Sequence, residues 1–196
     1  MIRQEEVIQF FDRLAGSWDA DMIRNDDVIR KILDNAGVTA GVSVLDVACG
    51  TGVLFPDYLA RNVKSVTGVD VSPEMAKIAS EKFRNNETVR VVCADVEQFT
   101  SETPFDVVMV YNAFPHFPDP ERLIRNLAGF LPEGGRLSIA HGMSREAINA
   151  HHSGTASHVS NGLMPADELA GLFEPWFDAE TVIDDGQMYQ VTGRKK

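Results

Sequence analysis

The spacing of apolar residues switches repeatedly between helical and extended along the chain. Val7, Phe10, Phe11 and Leu14 recur at helical spacing, which predicts an amphipathic helix over residues 2–15. A polar stretch at 16–22 precedes a second predicted helix at about 26–36. Val42, Val44, Leu45 and Val47 are the β-branched, apolar run expected of a central strand covered on both faces. Residues 53–60 read as a helix and 65–70 as a second strand. Ser72 can then cap a helix that has Pro73 at its first position. Further strands are expected at 89–94 and 105–111, with a fifth entered through 131–137. Ser144 can cap a short helix, and a last helix is expected at 165–173. An antiparallel pair, 177–183 and 187–193, should close around the turn Asp184-Asp185-Gly186. This alternation predicts an α/β, doubly wound, three-layer αβα architecture.

The first strand carries the most chemistry. It runs into Asp46-Val47-Ala48-Cys49-Gly50-Thr51-Gly52, a buried acid followed by a glycine turn. Asp46, near the end of a covered strand, needs a cationic or hydrogen-bonding partner. Gly50 and Gly52 let the backbone turn sharply and approach a ligand, and the following helix start presents N–H groups and a positive dipole end. A dinucleotide site would want a third glycine where Phe55 stands, to admit a pyrophosphate and tight helix packing. An acid in the strand end also disfavours pyrophosphate, whereas a ligand with an ammonium and no phosphate suits Asp46. S-adenosylmethionine is such a ligand.

The stretch D-V-A-C-G-T-G resembles motif I of the class I S-adenosylmethionine-dependent methyltransferases of small molecules. The resemblance continues through Asp70, about 20 residues beyond the glycine turn, Ser72-Pro73-Glu74-Met75, Asp95-Val96, Asn112 and Leu131-Pro132-Glu133-Gly134-Gly135, covering roughly 40–142. It implies a Rossmann-like sheet of seven strands, mostly parallel, with the last strand antiparallel. It implies a cofactor site drawn from Asp46, Ala48, Gly50, Gly52, Asp70, Val71, Met75, Asp95, Val96 and Asn112. In that reading Asp70 takes the ribose hydroxyls, Met75 packs near the adenine, Asp95 meets its exocyclic amine and Val96 flanks the ring. The cofactor would be S-adenosyl-L-methionine and the product S-adenosyl-L-homocysteine. Phe10-Phe11-Asp12 with Trp18-Asp19 is similar to an opening in which the N-terminal segment folds over the cofactor. Phe11 and Trp18 are then lid residues, or alternatively only pack the first helix onto the sheet.

Composition narrows the partners. The 196 residues suffice for one domain with a sizeable core. That domain divides into a helical lid (1–38), a cofactor core (40–142), a substrate-side segment (143–164) and a closing helix and strand pair (165–196). With 29 acidic and 18 basic side chains, a formal charge of -11 argues against a nucleic-acid substrate. No run approaches a membrane span and no signal pattern opens the chain, so a cytoplasmic location is expected. Cys49 reads as a small core residue, and with Cys93 it is placed at the ends of neighbouring strands in a reducing compartment. The pattern does not separate monomer from homodimer.

All five histidines follow residue 115. His116, after strand four, and His141, ending strand five, are the candidate general bases, histidine titrating near neutral pH. His152 and His158 belong to a polar segment expected, with the lid, to hold the acceptor. His141, His151, His152 and His158 would gather round Zn²⁺ or Fe²⁺ only if that segment folds back. Their spacing is not a compact zinc pattern, and no metal is expected. Methyl transfer to a small-molecule O, N, S or C acceptor is therefore the leading reading. The alternatives are a regulatory module that binds the cofactor without turnover and a nicotinamide oxidoreductase.

Overall fold

The structure is a computed structural model that describes residues 2–153 and 156–196. A seven-stranded sheet in the order β3-β2-β1-β4-β5-β7-β6 forms its centre. The strands are β1 (Ser43–Val47), β2 (Ser65–Asp70), β3 (Val89–Cys93), β4 (Val107–Tyr111), β5 (Arg136–His141), β6 (Phe177–Asp184) and β7 (Tyr189–Lys195). β1 to β5 run parallel, and β7 lies antiparallel between β5 and β6. The seven strands, mostly parallel with the last reversed, are those expected from the sequence resemblance. The terminal hairpin is shifted, β7 beginning at Tyr189 rather than Gln187, because Gln187 and Met188 donate their N–H groups to Asp185 Oδ1 at 2.8 and 2.9 Å. β2 separates the strands bearing the two cysteines, so Cys49 and Cys93 are not on neighbouring strands; Cys49 is buried and Cys93 exposed.

One face of the sheet packs on α3 (Asp26–Asn35), α4 (Phe55–Ala60) and α5 (Pro73–Phe83), through Ile29, Ile32, Leu33, Phe55, Tyr58 and Ala79. The other packs on α6 (Pro120–Ala128), α7 (Arg145–His152) and α8 (Ala166–Phe173), through Leu123, Ile124, Leu127, Ile148, Leu169 and Phe173. Helix caps follow the sequence: Asn25, Ser72, Asp119 and Ser144 each accept an N–H of the first turn. α1 (Gln4–Leu14) packs against α5, and the short α2 (Trp18–Asp21) follows it. α1 joins the turn Ser157–Val159 in a small separate core of Ile2, Val7, Ala156 and Val159.

Phe55, which stands where a dinucleotide site would want a third glycine, is accommodated in this fold. α4 begins at Phe55 rather than Val53, and the ring enters a space that two glycines leave open. A Cβ on Gly68 would lie 2.5 Å from the tip of the Phe55 ring and 2.8 Å from Cys49 Sγ. A Cβ on Gly52, where φ is +80°, would lie 2.8 Å from Phe55 and 2.9 Å from Phe83. The room that a third motif glycine would make on the helix is made instead on β2.

Candidate cofactor and acceptor site

Strand order reverses between β1 and β4, the position where ligands bind beyond the carboxyl ends of an open α/β sheet. The residues that follow these two strands, Ala48 (φ 55°) and Asn112 (φ 54°), both adopt the left-handed conformation although neither is glycine. Such geometry costs an L-residue roughly 1–2 kcal/mol and concentrates at functional sites. Asn112 is held there by two bonds. Its N–H reaches Ala140 O at 2.9 Å and its Oδ1 accepts from Gly142 N–H at 2.9 Å.

Both residues open on a cavity of about 260 Å³. Asp46, Ala48, Gly50, Asp70, Val71, Met75, Asp95, Val96 and Asn112 all line it, and so do Phe11, Trp18 and His116. Gly52 does not; its positive φ and its contact with Phe55 and Phe83 make it a turn and packing residue.

Two buried acids set the electrostatics. Asp46 is 2% exposed, and burial pushes its carboxyl up to about 8, Asp70 adding to the rise. The Tyr58 hydroxyl favours the carboxylate from nearby but closes no hydrogen bond with it. Asp46 thus faces the cavity as an acid lacking the cation that would stabilise its charge. Asp70 is raised to about 6 by burial, against the pull of two backbone donors. Gly50 N–H reaches its Oδ2 at 2.7 Å and Ser72 N–H its Oδ1 at 2.8 Å. One carboxylate therefore ties the glycine turn to the start of α5. Each oxygen keeps a lone pair for a ligand hydroxyl. Asp95 accepts Glu97 N–H on Oδ1 at 2.9 Å.

The histidines separate sharply. His116 Nδ1 lies 2.7 Å from the carbonyl oxygen of Val159, which can only accept, so the ring proton sits on Nδ1 and Nε2 is the free acceptor. Burial lowers its pKa, keeping the ring neutral at physiological pH. Phe11 meets it edge-on at 4.9 Å.

His141, in contrast, is 1% exposed, packs edge-on against Tyr189 at 6.0 Å and lies outside the cavity lining. Burial drives its pKa down to about 3, with His116 and His152 contributing. The expectation that it reaches the acceptor is corrected: it stands at the end of β5 as expected, but there it is paired with Tyr189, enclosed, and not part of the cavity wall. His152, lowered to about 4 mainly by burial, bonds Ser160 Oγ at 2.8 Å behind His116. His158 is exposed and packs edge-on against Phe10 at 5.9 Å. Neither lines the cavity, nor does any described residue of 143–164; that segment supports His116 and α1 from outside. Among the described residues no group of three or more His, Cys, Asp or Glu is placed to hold a metal ion.

Several lining residues gave no signal in the sequence. Gln4, Val7 and Met22 come from the N-terminal segment, and Phe117 and Pro118 from the loop after β4. At the rim Arg122 Nε donates to Glu97 Oε1 at 2.9 Å, a pair that joins α6 to the turn after β3. Residues 25 apart carry no local pattern that pairs them.

Residues 45–139 match a family described as "Methyltransferase domain". The chain belongs to the class I S-adenosylmethionine-dependent methyltransferases. A "Ubiquinone biosynthesis O-methyltransferase" of Xanthomonas euvesicatoria pv. vesicatoria (strain 85-10) is 36% identical over 145 residues, 70% of this chain and 60% of that one. The chain spans about six tenths of the length of the curated relatives of that name. The N-methyltransferase NodS from Bradyrhizobium japonicum WM9, solved with S-adenosyl-l-homocysteine, has a TM-score of 0.76 at 17% identity, over 96% of this chain and 97% of that one. DhpI, also solved with S-adenosylhomocysteine, has a TM-score of 0.74 at 19% identity, over 98% of this chain and 96% of its own. At those identities both show the methyltransferase fold alone. The cofactor of the family is S-adenosylmethionine, and the acids lining this cavity suit its ammonium and ribose groups.

If the Asp70 carboxylate takes the ribose hydroxyls, Asp70→Ala is expected to weaken S-adenosylhomocysteine binding by about 1–3 kcal/mol, the cost of leaving them unpaired. Isothermal titration reads this directly, and an unchanged affinity removes Asp70 from the ribose.

Proposed function

We propose that this protein transfers a methyl group from S-adenosylmethionine to a hydroxyl of a small, largely apolar acceptor. The observation that carries the proposal is the shared cavity. Asp46 and Asp70 stand at one end, with the neutral imidazole of His116 and the rings of Phe11, Trp18 and Phe117 elsewhere on its wall. The relatives named for ubiquinone O-methylation support oxygen as the methylated atom. When bound, the cofactor supplies a methyl on a sulfonium centre that an acceptor lone pair can displace in line.

The chain's own residues then have three tasks. Asp46 takes the ammonium and Asp70 the ribose hydroxyls, with Asp95 and Val96 at the adenine, which fixes the donor. Phe11, Trp18 and the loop after β4 exclude water and hold the acceptor's apolar body. Alignment of this kind is worth several kcal/mol, up to ~7–11 in well-oriented intramolecular cases. His116 Nε2 accepts the hydroxyl proton while Nδ1 stays on the Val159 carbonyl, which holds the tautomer. In this reading residues 1–38 are the lid of one domain, 40–142 its cofactor core and 165–196 its closing elements, and the acceptor is small rather than a nucleic acid.

His116→Ala is expected to slow turnover by about 10²–10⁴-fold while sparing S-adenosylhomocysteine affinity. The wild-type rate should fall as pH drops, because protonation removes the base. Burial lowers the His116 pKa, so this acid limb lies below the ordinary value of 6.5. Incubation with phenols, catechols, amines and thiols, scored by S-adenosylhomocysteine released, tests the class of acceptor. Turnover of amines or thiols alone overturns the hydroxyl reading, and full activity of His116→Ala overturns the base.

A further inference from the structure

The two acids that follow the lid aromatics each grip a hydroxyl inside a cofactor loop. Asp12 Oδ1 accepts from Ser72 Oγ at 2.5 Å and from Glu74 N–H at 3.2 Å. Ser72 Oγ in turn accepts Met75 N–H at 3.2 Å. Asp12 and Ser72 together thus satisfy two free N–H groups at the start of α5, beside Asp70. Asp19 Oδ1 accepts from Thr51 Oγ1 at 2.5 Å, and its Oδ2 takes Lys82 Nζ at 2.7 Å. Thr51 is fully buried and lies between the two motif glycines.

The residue before each acid, Phe11 and Trp18, lines the cavity, and the two rings meet edge-on at 5.7 Å. Immediately beyond this segment Arg24 is clamped to α4. Its Nη2 reaches both Asp57 carboxylate oxygens at 2.8 and 2.7 Å, and its Nη1 reaches Val53 O at 2.9 Å. The exposed Ile23, 93% accessible, separates the clamp from the covering segment.

We propose that Asp12 and Asp19 are positioning residues that couple closure of segment 4–22 to the order of the two cofactor loops. The coupling rests on the cofactor reading of the cavity. Asp12 acts through Ser72 on the turn that Asp70 organises, and Asp19 acts through Thr51 on the turn of Gly50. A ligand that orders these turns presents the two hydroxyls to the strap, and the latched strap brings Phe11 and Trp18 over the ligand. Binding donor and building the acceptor wall become one event. Arg24 is the fixed post about which the segment opens. The Asp19–Lys82 pair lies at the surface, so added salt weakens that latch more than the Asp12 one.

The test uses the full chain and S-adenosylhomocysteine as probe. In the wild type the ligand should slow hydrogen exchange of amides 4–21. Asp12→Ala and Asp19→Ala should each speed ligand dissociation by about tenfold or more, and abolish that protection. Their acceptor KM should rise more than kcat falls. Asp12→Asn and Asp19→Asn, which keep an accepting oxygen, should restore slow dissociation in part. If Asp19→Ala does not fold, Thr51→Val removes the same bond from the opposite side and should reproduce the faster dissociation. Unchanged dissociation and retained protection in the folded alanine variants overturn the coupling while leaving the cofactor reading intact. Absence of binding to the wild type overturns both.

Discussion

Asp46→Asn is expected to weaken S-adenosylhomocysteine binding about 10- to 150-fold while raising the stability of the ligand-free protein at alkaline pH. The first effect is the loss of a hydrogen bond to a charged partner, about 1.5–3 kcal/mol. The second follows from the burial of the acid. In the folded chain Asp46 holds its proton up to about pH 8, whereas its ordinary value is 3.8. Between those values the native state binds more protons than the unfolded chain, so stability falls as pH rises from about 4 to about 8. Asparagine resembles the protonated acid and cannot ionise. The variant should therefore unfold with the wild type near pH 4 and be more stable by up to about 5 kcal/mol at pH 8. An ammonium beside Asp46 restores the charged form, so wild-type affinity should tighten as pH rises toward about 8. Urea denaturation at several pH values and titration calorimetry check the two halves. A variant that binds normally places the ammonium elsewhere, and one that gains no alkaline stability shows that the acid is already paired.

Gly68→Ala should destabilise the protein by about 1–3 kcal/mol, the usual penalty for forcing a methyl into a packed core. The new Cβ would meet the Phe55 ring and Cys49 Sγ at 2.5 and 2.8 Å. Phe55 cannot retreat, because it is fully buried against Phe83 and Tyr58. Cys49 lies in the backbone stretch that leads into the glycine turn, and its N–H is bonded to Val69 O at 3.2 Å. The strain should therefore reach the cofactor site and weaken ligand binding as well. Phe55→Leu in the same chain should recover part of the lost stability, since the shorter side chain vacates the space. A double-mutant cycle by denaturant unfolding measures that coupling. Additive effects would mean that Gly68 and Phe55 do not share this space.

Local pattern determined which segments are strands, which are helices and where the chain turns. β-branched apolar runs bounded by glycine and acid hold their meaning in any environment, and so the five parallel strands between Ser43 and His141 lie where the apolar runs put them. The helix Pro120–Ala128, between the fourth and fifth, was not read from the sequence. Asp46, Asp70 and Asp95 were legible for the same reason. An acid at or just past the end of an apolar strand is conspicuous, whether the strand is buried like β1 and β2 or at the edge like β3, and parallel strands deliver their carboxyl ends to one edge. His116 was legible because it follows such a strand within a few residues.

Tertiary structure alone decided the direction in which side chains point and which distant groups meet. His116 follows the end of β4 and His141 closes β5, yet one lines the cavity and the other is enclosed, because that depends on the neighbours each packs against. Phe55 is crowded or accommodated according to what stands across from it, and Gly68 does so only through the β1–β2 register that pairs Asp46 with Gly68. The grip of Asp12 on Ser72 and of Asp19 on Thr51 spans 60 and 32 residues. Periodicity is a property of neighbouring residues and carries no information at such separations. Sequence alone thus specified the sheet, its acids and its glycine turn, while packing decided which histidine can reach the ligand and what holds the covering segment down.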